Sequence, residues 1–102
     1  VAVIFTTKAQ GDLSNIARFY AKSYNLKITQ RKVAIVLAGI DHLEKQPISV
    51  GLATLMPDVY YWIVDITTTD SYLVYFKRVG PDLRVYRVVP ARAEPLTPEE
   101  VI

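Results

Sequence analysis

The chain has no cysteine, one histidine, one methionine and one tryptophan among its 102 residues. Without cysteine there are no disulfides and no thiolate chemistry. His42 alone cannot build a tetrahedral nitrogen and sulfur zinc site. It would also have to serve any nucleophile triad, and Ser14, Ser23, Ser49 and Ser71 have no base at a useful spacing. Gly11 is solitary, so no phosphate-cradling loop exists. Asp58, Asp65 and Asp70 bracket one expected strand without converging, which gives neither an oxygen-ligand metal site nor an acid–base pair. The expectation is a protein that is not an enzyme, with no metal, no cofactor and no small-molecule substrate.

Long hydrophobic runs are also missing. The longest charge-free apolar run, Val33–Ile40, is far shorter than the ~20 residues a membrane helix needs. Val1–Phe5 is too short for the core of a secretion signal and has no basic flank. A cytoplasmic location is the default expectation. Asn and Gln together number five, and this scarcity of thermolabile side chains points to a thermophilic source, although a charged fraction of 22% adds nothing to that inference.

What is present is apolar and aromatic. Hydrophobic residues make up 51% of the chain, ample for one modest core. The length implies one domain, here residues 1–92, with 93–102 as a Pro-rich tail. Net charge is only +2, but it is unevenly spread. Residues 8–32 carry six bases against Asp12, residues 41–70 carry five acids against Lys45, and residues 77–92 carry five bases against Asp82. Alternation of this kind orients a partner or a second copy, or simply marks solvated surfaces on separate elements.

The fold class expected is α+β: an N-terminal strand, two main helices and a short third helix, then a three-stranded antiparallel meander, with the helices on one sheet face. Val1–Thr6 is β-branched and aromatic and reads as a buried strand. Residues 8–11 read as a loop. Leu13, Ile16, Ala17, Tyr20 and Tyr24 then share one helical face, with Asp12 or Ser14 as cap and Asn25 as stop. From Thr29 to Gln46 the apolar spacing again suits a helix. A buried parallel strand over Lys32–Gly39 is the alternative, disfavoured because the pattern runs on through Leu43. Ser49 is placed as the cap of a short helix ending at Pro57. Thr97-Pro98-Glu99-Glu100 is a helix-start signature.

Seven of the eleven aromatics fall between Val59 and Val89, where three β-type runs are punctuated by residues 67–71 and by Gly80-Pro81-Asp82. A five-residue first loop pairs Ile66 with Tyr72, and a three-residue second loop pairs Val79 with Leu83. Even-numbered residues, from Tyr60 and Trp62 to Tyr86 and Val88, then form the core face. The odd-numbered face carries Tyr61, Ile63, Asp65, Leu73, Tyr75, Lys77, Val85 and Arg87.

Two helices cover one face of a four-stranded sheet and no more. Either the tail closes the other face through Leu96, Val101 and Ile102, or that face meets a partner. The expected partner is a protein or peptide, or a second copy in a homodimer. It would be held by Tyr61, Ile63, Tyr75 and Val85 at the centre, with Asp65, Lys77 and Arg87 at the rim. A sheet edge accepting an extra strand is a related mode. The runner-up partner is nucleic acid, stacked on Tyr61 and Tyr75 beside Lys77 and Arg87. Against it stand the low net charge, the repulsion of phosphate by Asp65, and a third helix without a basic residue.

Overall fold

The computed structural model describes residues 2–46, 51–54, 56–67, 70–92 and 96–102. Along the chain come β1 (Val3–Phe5), α1 (Thr7–Ala21), α2 (Leu26–Glu44), β2 (Leu52–Ala53), β3 (Tyr60–Asp65), β4 (Ser71–Val79), β5 (Asp82–Pro90) and α3 (Pro98–Val101). The strands form one mixed five-stranded sheet in the order β1-β5-β4-β3-β2. β1 runs parallel to β5 and the other pairings are antiparallel. This is the expected α+β class, with one strand more than the sequence suggested. None of the described helices is long and apolar enough to cross a membrane.

The helix starts are set by side-chain caps. Thr6 Oγ1 accepts the Ala9 N–H at 3.2 Å, so α1 begins at Thr7 and the expected loop at 8–11 is helical. Asp12, expected as a cap, therefore lies inside the helix. Asn25, expected to stop α1, instead caps α2 by accepting the Ile28 N–H at 2.9 Å. The segment that could have been a parallel strand is helical, with Thr29, Val36, Ile40 and Leu43 on its buried stripe. Its last carbonyls are met from the sheet: Arg78 donates to Leu43 O at 3.0 Å and to Glu44 O at 3.4 Å. A cation at a helix C-terminus is favourable there.

Three expectations are corrected. Leu52 and Ala53 are not helical but pair with Tyr61 and Tyr60 on the edge of β3; Gly51, at φ +133°, takes a backbone conformation outside any helix. Ser49 and Leu55 of the expected third helix lie outside the described residues. β1 is not a buried strand but a three-residue edge, with Ile4 exposed. The two hairpins are also tighter than expected. Val64, not Ile66, faces Tyr72, because the ladder continues to an Ile66 N–H bond to Asp70 O at 2.8 Å. That two-residue shift preserves the faces; Thr68 and Thr69 of the turn lie outside the described residues.

The second hairpin matters more. Val79 pairs with Asp82, leaving Gly80 and Pro81 as a two-residue turn. Gly80 has φ +59°, and a proline after a left-handed glycine matches the sign pattern of a type II′ turn. The pairing is thus slipped by one residue near the turn, and Leu83 and Val85 point into the core, each fully buried. A bulge opposite Tyr75 and Phe76 then restores the alternation, so that Tyr75 faces Arg87 and Val74 faces Val88. Val85 is therefore on the helix side, not on the second face. Tyr86, expected in the core, packs with the second-face cluster.

The main core lies between the helices and the sheet: Ile16 and Tyr20 of α1 and Val36, Ile40 and Leu43 of α2 meet Val64, Val74, Phe76, Leu83 and Val88. Tyr72 donates its hydroxyl hydrogen to the Tyr20 hydroxyl at 3.4 Å within this core. Burial raises the Tyr20 phenol well above its ordinary pKa.

Gly39 lets α2 approach β3. A Cβ there would sit 2.5 Å from Val64 Cγ1 and 3.0 Å from Val64 Cγ2, and 3.4 Å from Cβ itself, so rotating Val64 does not clear it. Gly39→Ala is expected to destabilise by about 1–3 kcal/mol despite the better helix propensity of alanine. In Gly39→Ala/Val64→Ala the loss should be smaller than the sum of the single losses by about 1 kcal/mol or more, read from denaturant midpoints.

Candidate partner-binding site

Among the described residues two apolar surfaces stand out beside the main core. One is the second face of the sheet. Tyr75 is buried there with Val59, Val89 and Val101, and Tyr61, Leu73, Tyr86 and Leu96 pack around them. The cover comes from the tail. Thr97 and Glu100 form a capping box, Pro98 occupies the first turn, and Val101 of α3 inserts into the cluster at 1% exposure. Leu96 N–H donates to the Tyr75 hydroxyl at 3.3 Å, and Lys8 Nζ donates to Glu99 O at 3.0 Å. The tail closes the centre of this face and not its β3 edge, where Ile63 stays 46% exposed.

The residues expected to hold a partner are thus divided. Tyr61 and Tyr75 are neighbours, with ring centroids 6.0 Å apart, but Tyr75 lies beneath α3. Ile63 is open. Asp65 accepts a hydrogen bond from the Ser71 hydroxyl at the strand end. Lys77 faces Arg84 across the β4–β5 pair. Val85 is on the opposite face. Arg87 is engaged with α1 and α3.

That engagement is the densest polar cluster described. β1 pairs with β5 only as far as Val85, which leaves the β5 edge beyond it without a neighbouring strand among the described residues. Asp12, on the buried side of α1, supplies the missing acceptor: its Oδ2 takes the Val88 N–H at 2.9 Å. The same carboxylate receives Arg87 Nε at 2.7 Å and Nη2 at 3.0 Å, a two-pronged ion pair. Arg87 Nη1 reaches on to Glu100 O of α3 at 2.6 Å. The hydrogen bonds to Asp12 hold the Arg87 guanidinium pKa above its ordinary value.

The second surface is a groove that opens beside this cluster. It encloses about 630 Å³ between α1 (Asn15, Ile16, Phe19), the start of β4 (Asp70, Ser71, Tyr72) and the end of β5 with Ala91 and Arg92; Asp12 and Arg87 also line it. Phe19, 54% exposed, stands at its rim. Sequence reasoning missed this groove. Its walls come from segments about 70 residues apart, and Phe19 falls outside the stripe that defines the buried face of α1. Further along the helical hairpin Tyr24 and Leu26 are exposed, and Lys32 Nζ lies 5.1 Å and 5.0 Å from the rings of Tyr20 and Tyr24.

Neither surface assembles a reactive centre from the described groups. Asp12 is committed to three hydrogen bonds. His42 is in the last turn of α2, its Nε2 3.0 Å from Gln46 Nε2, away from the groove. Among the described residues no three His, Cys, Asp or Glu side chains cluster as metal ligands do. The arrangement suits binding of an apolar segment with polar flanks.

No protein-family model matches the sequence, and no curated protein matches it. The fold does have a counterpart among solved structures. A chain from the chromosomal ParDE TA (toxin–antitoxin) system from P. aeruginosa is similar at a TM-score of 0.75, over 88% of this chain and 95% of that chain, with 16% sequence identity. At that identity the likeness is one of fold.

The cover over Tyr75 has a pH dependence of known sign. The Glu100 carboxyl pKa is lowered chiefly by the Thr97 backbone N–H and then by the Thr97 hydroxyl, with Arg87 and Lys8 adding to it. A carboxyl depressed in the folded state contributes fully above its unfolded pKa of about 4.3 and loses the contribution as pH falls through the folded value. Acidification through that range is expected to loosen α3 before the main core unfolds, seen as falling protection factors of the Val101 and Ile102 amides. Glu100→Gln should make those protection factors much less dependent on pH over the same range.

Proposed function

We propose that this chain is the toxin-type member of a toxin–antitoxin pair, acting through protein binding and not through turnover, and held in check by a segment of a protein partner. The observation that supports this most is the extent of the fold likeness, nearly the whole of both chains, to a component of a two-protein system. The groove beside α1 and the open Ile63 edge add to it, since a folded body with a half-open apolar channel suits a receptor for an extended or helical segment. The absence of a converging acid and base in the described groove favours binding over catalysis. A soluble intracellular setting goes with this reading.

A second reading, nucleic-acid binding, keeps one specific observation in its favour. Between Leu13 and Ile40 the chain carries five cations and no carboxylate, and exposed Phe19 and Tyr24 lie among them. The platform of Tyr61 and Tyr75 is a poor one for it, because α3 covers Tyr75.

Induced expression of the chain in a bacterial host is expected to arrest growth. Co-expression with the product of the adjacent reading frame should restore growth, and the two should co-purify. A complex with a large apolar contact should survive salt that strips nucleic acid, whose affinity falls steeply with ionic strength. Unimpeded growth, together with no complex with the adjacent product, would contradict the proposal.

A further inference from the structure

We infer that the groove between α1 and the end of β5 seats an acid-bearing amphipathic protein segment, apolar residues inward and carboxylates outward. The inference rests on the preceding reading only for who the partner is; the chemistry of the groove stands by itself.

Shape gives the first half of the argument. The channel is about 630 Å³, enough for several side chains from one segment and too open for a buried small ligand. Ile16, Phe19, Val89 and Pro90 make its walls apolar. Phe19 is more than half exposed although an aromatic ring gains most from burial. A phenylalanine left at the rim of an apolar channel is what an anchoring contact looks like before its partner arrives.

Charge gives the second half. Arg18 of α1 and Lys22 at its C-cap flank Phe19, one residue before it and three after, and Arg92 stands on the opposite wall. All three are exposed, and none forms an ion pair with a described residue. The acids inside the groove do not attract cations to its middle: Asp12 is neutralised by Arg87 on the floor, and Asp70 lies at the Tyr72 end. A segment with carboxylates spaced along its outer side meets cations on both rims, and rim charges of this kind steer and select more than they bind. A nucleic acid strand fits less well. Its phosphates would pass Asp70, and its backbone would gain nothing from the aliphatic walls.

The test uses two synthetic amphipathic helical peptides, one with leucines on one face and glutamates on the other, and a twin with lysines in place of the glutamates. Each is titrated into the full isotope-labelled chain, following the amides of Ile16, Phe19, Val89 and Ala91, with a short single-stranded oligonucleotide as a third probe. The glutamate peptide is expected to shift these amides and to bind about tenfold more tightly than its twin. Lys22→Glu/Arg92→Glu should abolish or reverse that preference, and Phe19→Ala should weaken the glutamate peptide while leaving the melting temperature within a few degrees of the parent. Equal binding of the two peptides, no shift at the groove amides, or an oligonucleotide that moves the same amides more strongly would each overturn the inference. Self-association that moves these amides without peptide would reassign the groove to a second copy and overturn it too. Failure here leaves growth arrest and its relief unaffected, and failure of growth arrest leaves peptide binding in the groove unaffected.

Discussion

The carboxylate of Asp12 is the point on which the molecule's two halves are joined. It accepts the Val88 N–H and two Arg87 donors, so one side chain ties α1 to β5 where β1 has ended. Through Arg87 the tie continues to Glu100 O and hence to α3. Removing an anion from a mostly buried pair leaves its cation and the Val88 amide short of partners, a loss of several kcal/mol where the pair is fully desolvated. The pair also forms part of the lining of the groove, so the position of α1 relative to β5, and with it the channel's width, depends on the same contact.

The bulge in β5 is the second constraint. A hairpin closed by a two-residue Gly-Pro turn is slipped by one residue relative to the alternation needed further along the strand. Inserting Tyr86 corrects it: Leu83 and Val85 point to the helices on one side of the bulge and Val88 on the other. The extra residue allows Arg87 to leave from the second face while Val88 N–H points outward to Asp12. Turn, bulge and ion pair are thus mutually consistent.

Much of this was legible in the sequence, for local reasons. The helical hairpin follows from apolar residues at 3.6-residue spacing, and the capping box at 97–100 from its own four residues. Tyr61, Ile63 and Tyr75 fall on the face their numbering implies because a two-residue shift in the first hairpin does not change parity. What was not legible has distant causes. Nothing in Val85-Tyr86-Arg87 announces a bulge; the acceptor that stabilises it is some 75 residues away. Asp12 reads as a cap because it precedes an apolar stripe, but Thr6 begins the helix earlier. β2 is too short to carry a period, and the groove is written in two segments that meet only in the fold. The odd-numbered face does hold more apolar area than two helices reach, as its pattern implied, but α3 closes its centre and leaves the edge.

Asp12 and Arg87 act as a coupled clamp and not as two independent side chains. The most direct measurement is a double-mutant cycle with Asp12→Ala, Arg87→Met and the pair, read from equilibrium unfolding. A coupling energy of about 1.5 kcal/mol or more is expected, with the Val88 amide exchanging faster in both single variants. A coupling below about 0.5 kcal/mol, with Val88 still protected when Asp12 is removed, would contradict it.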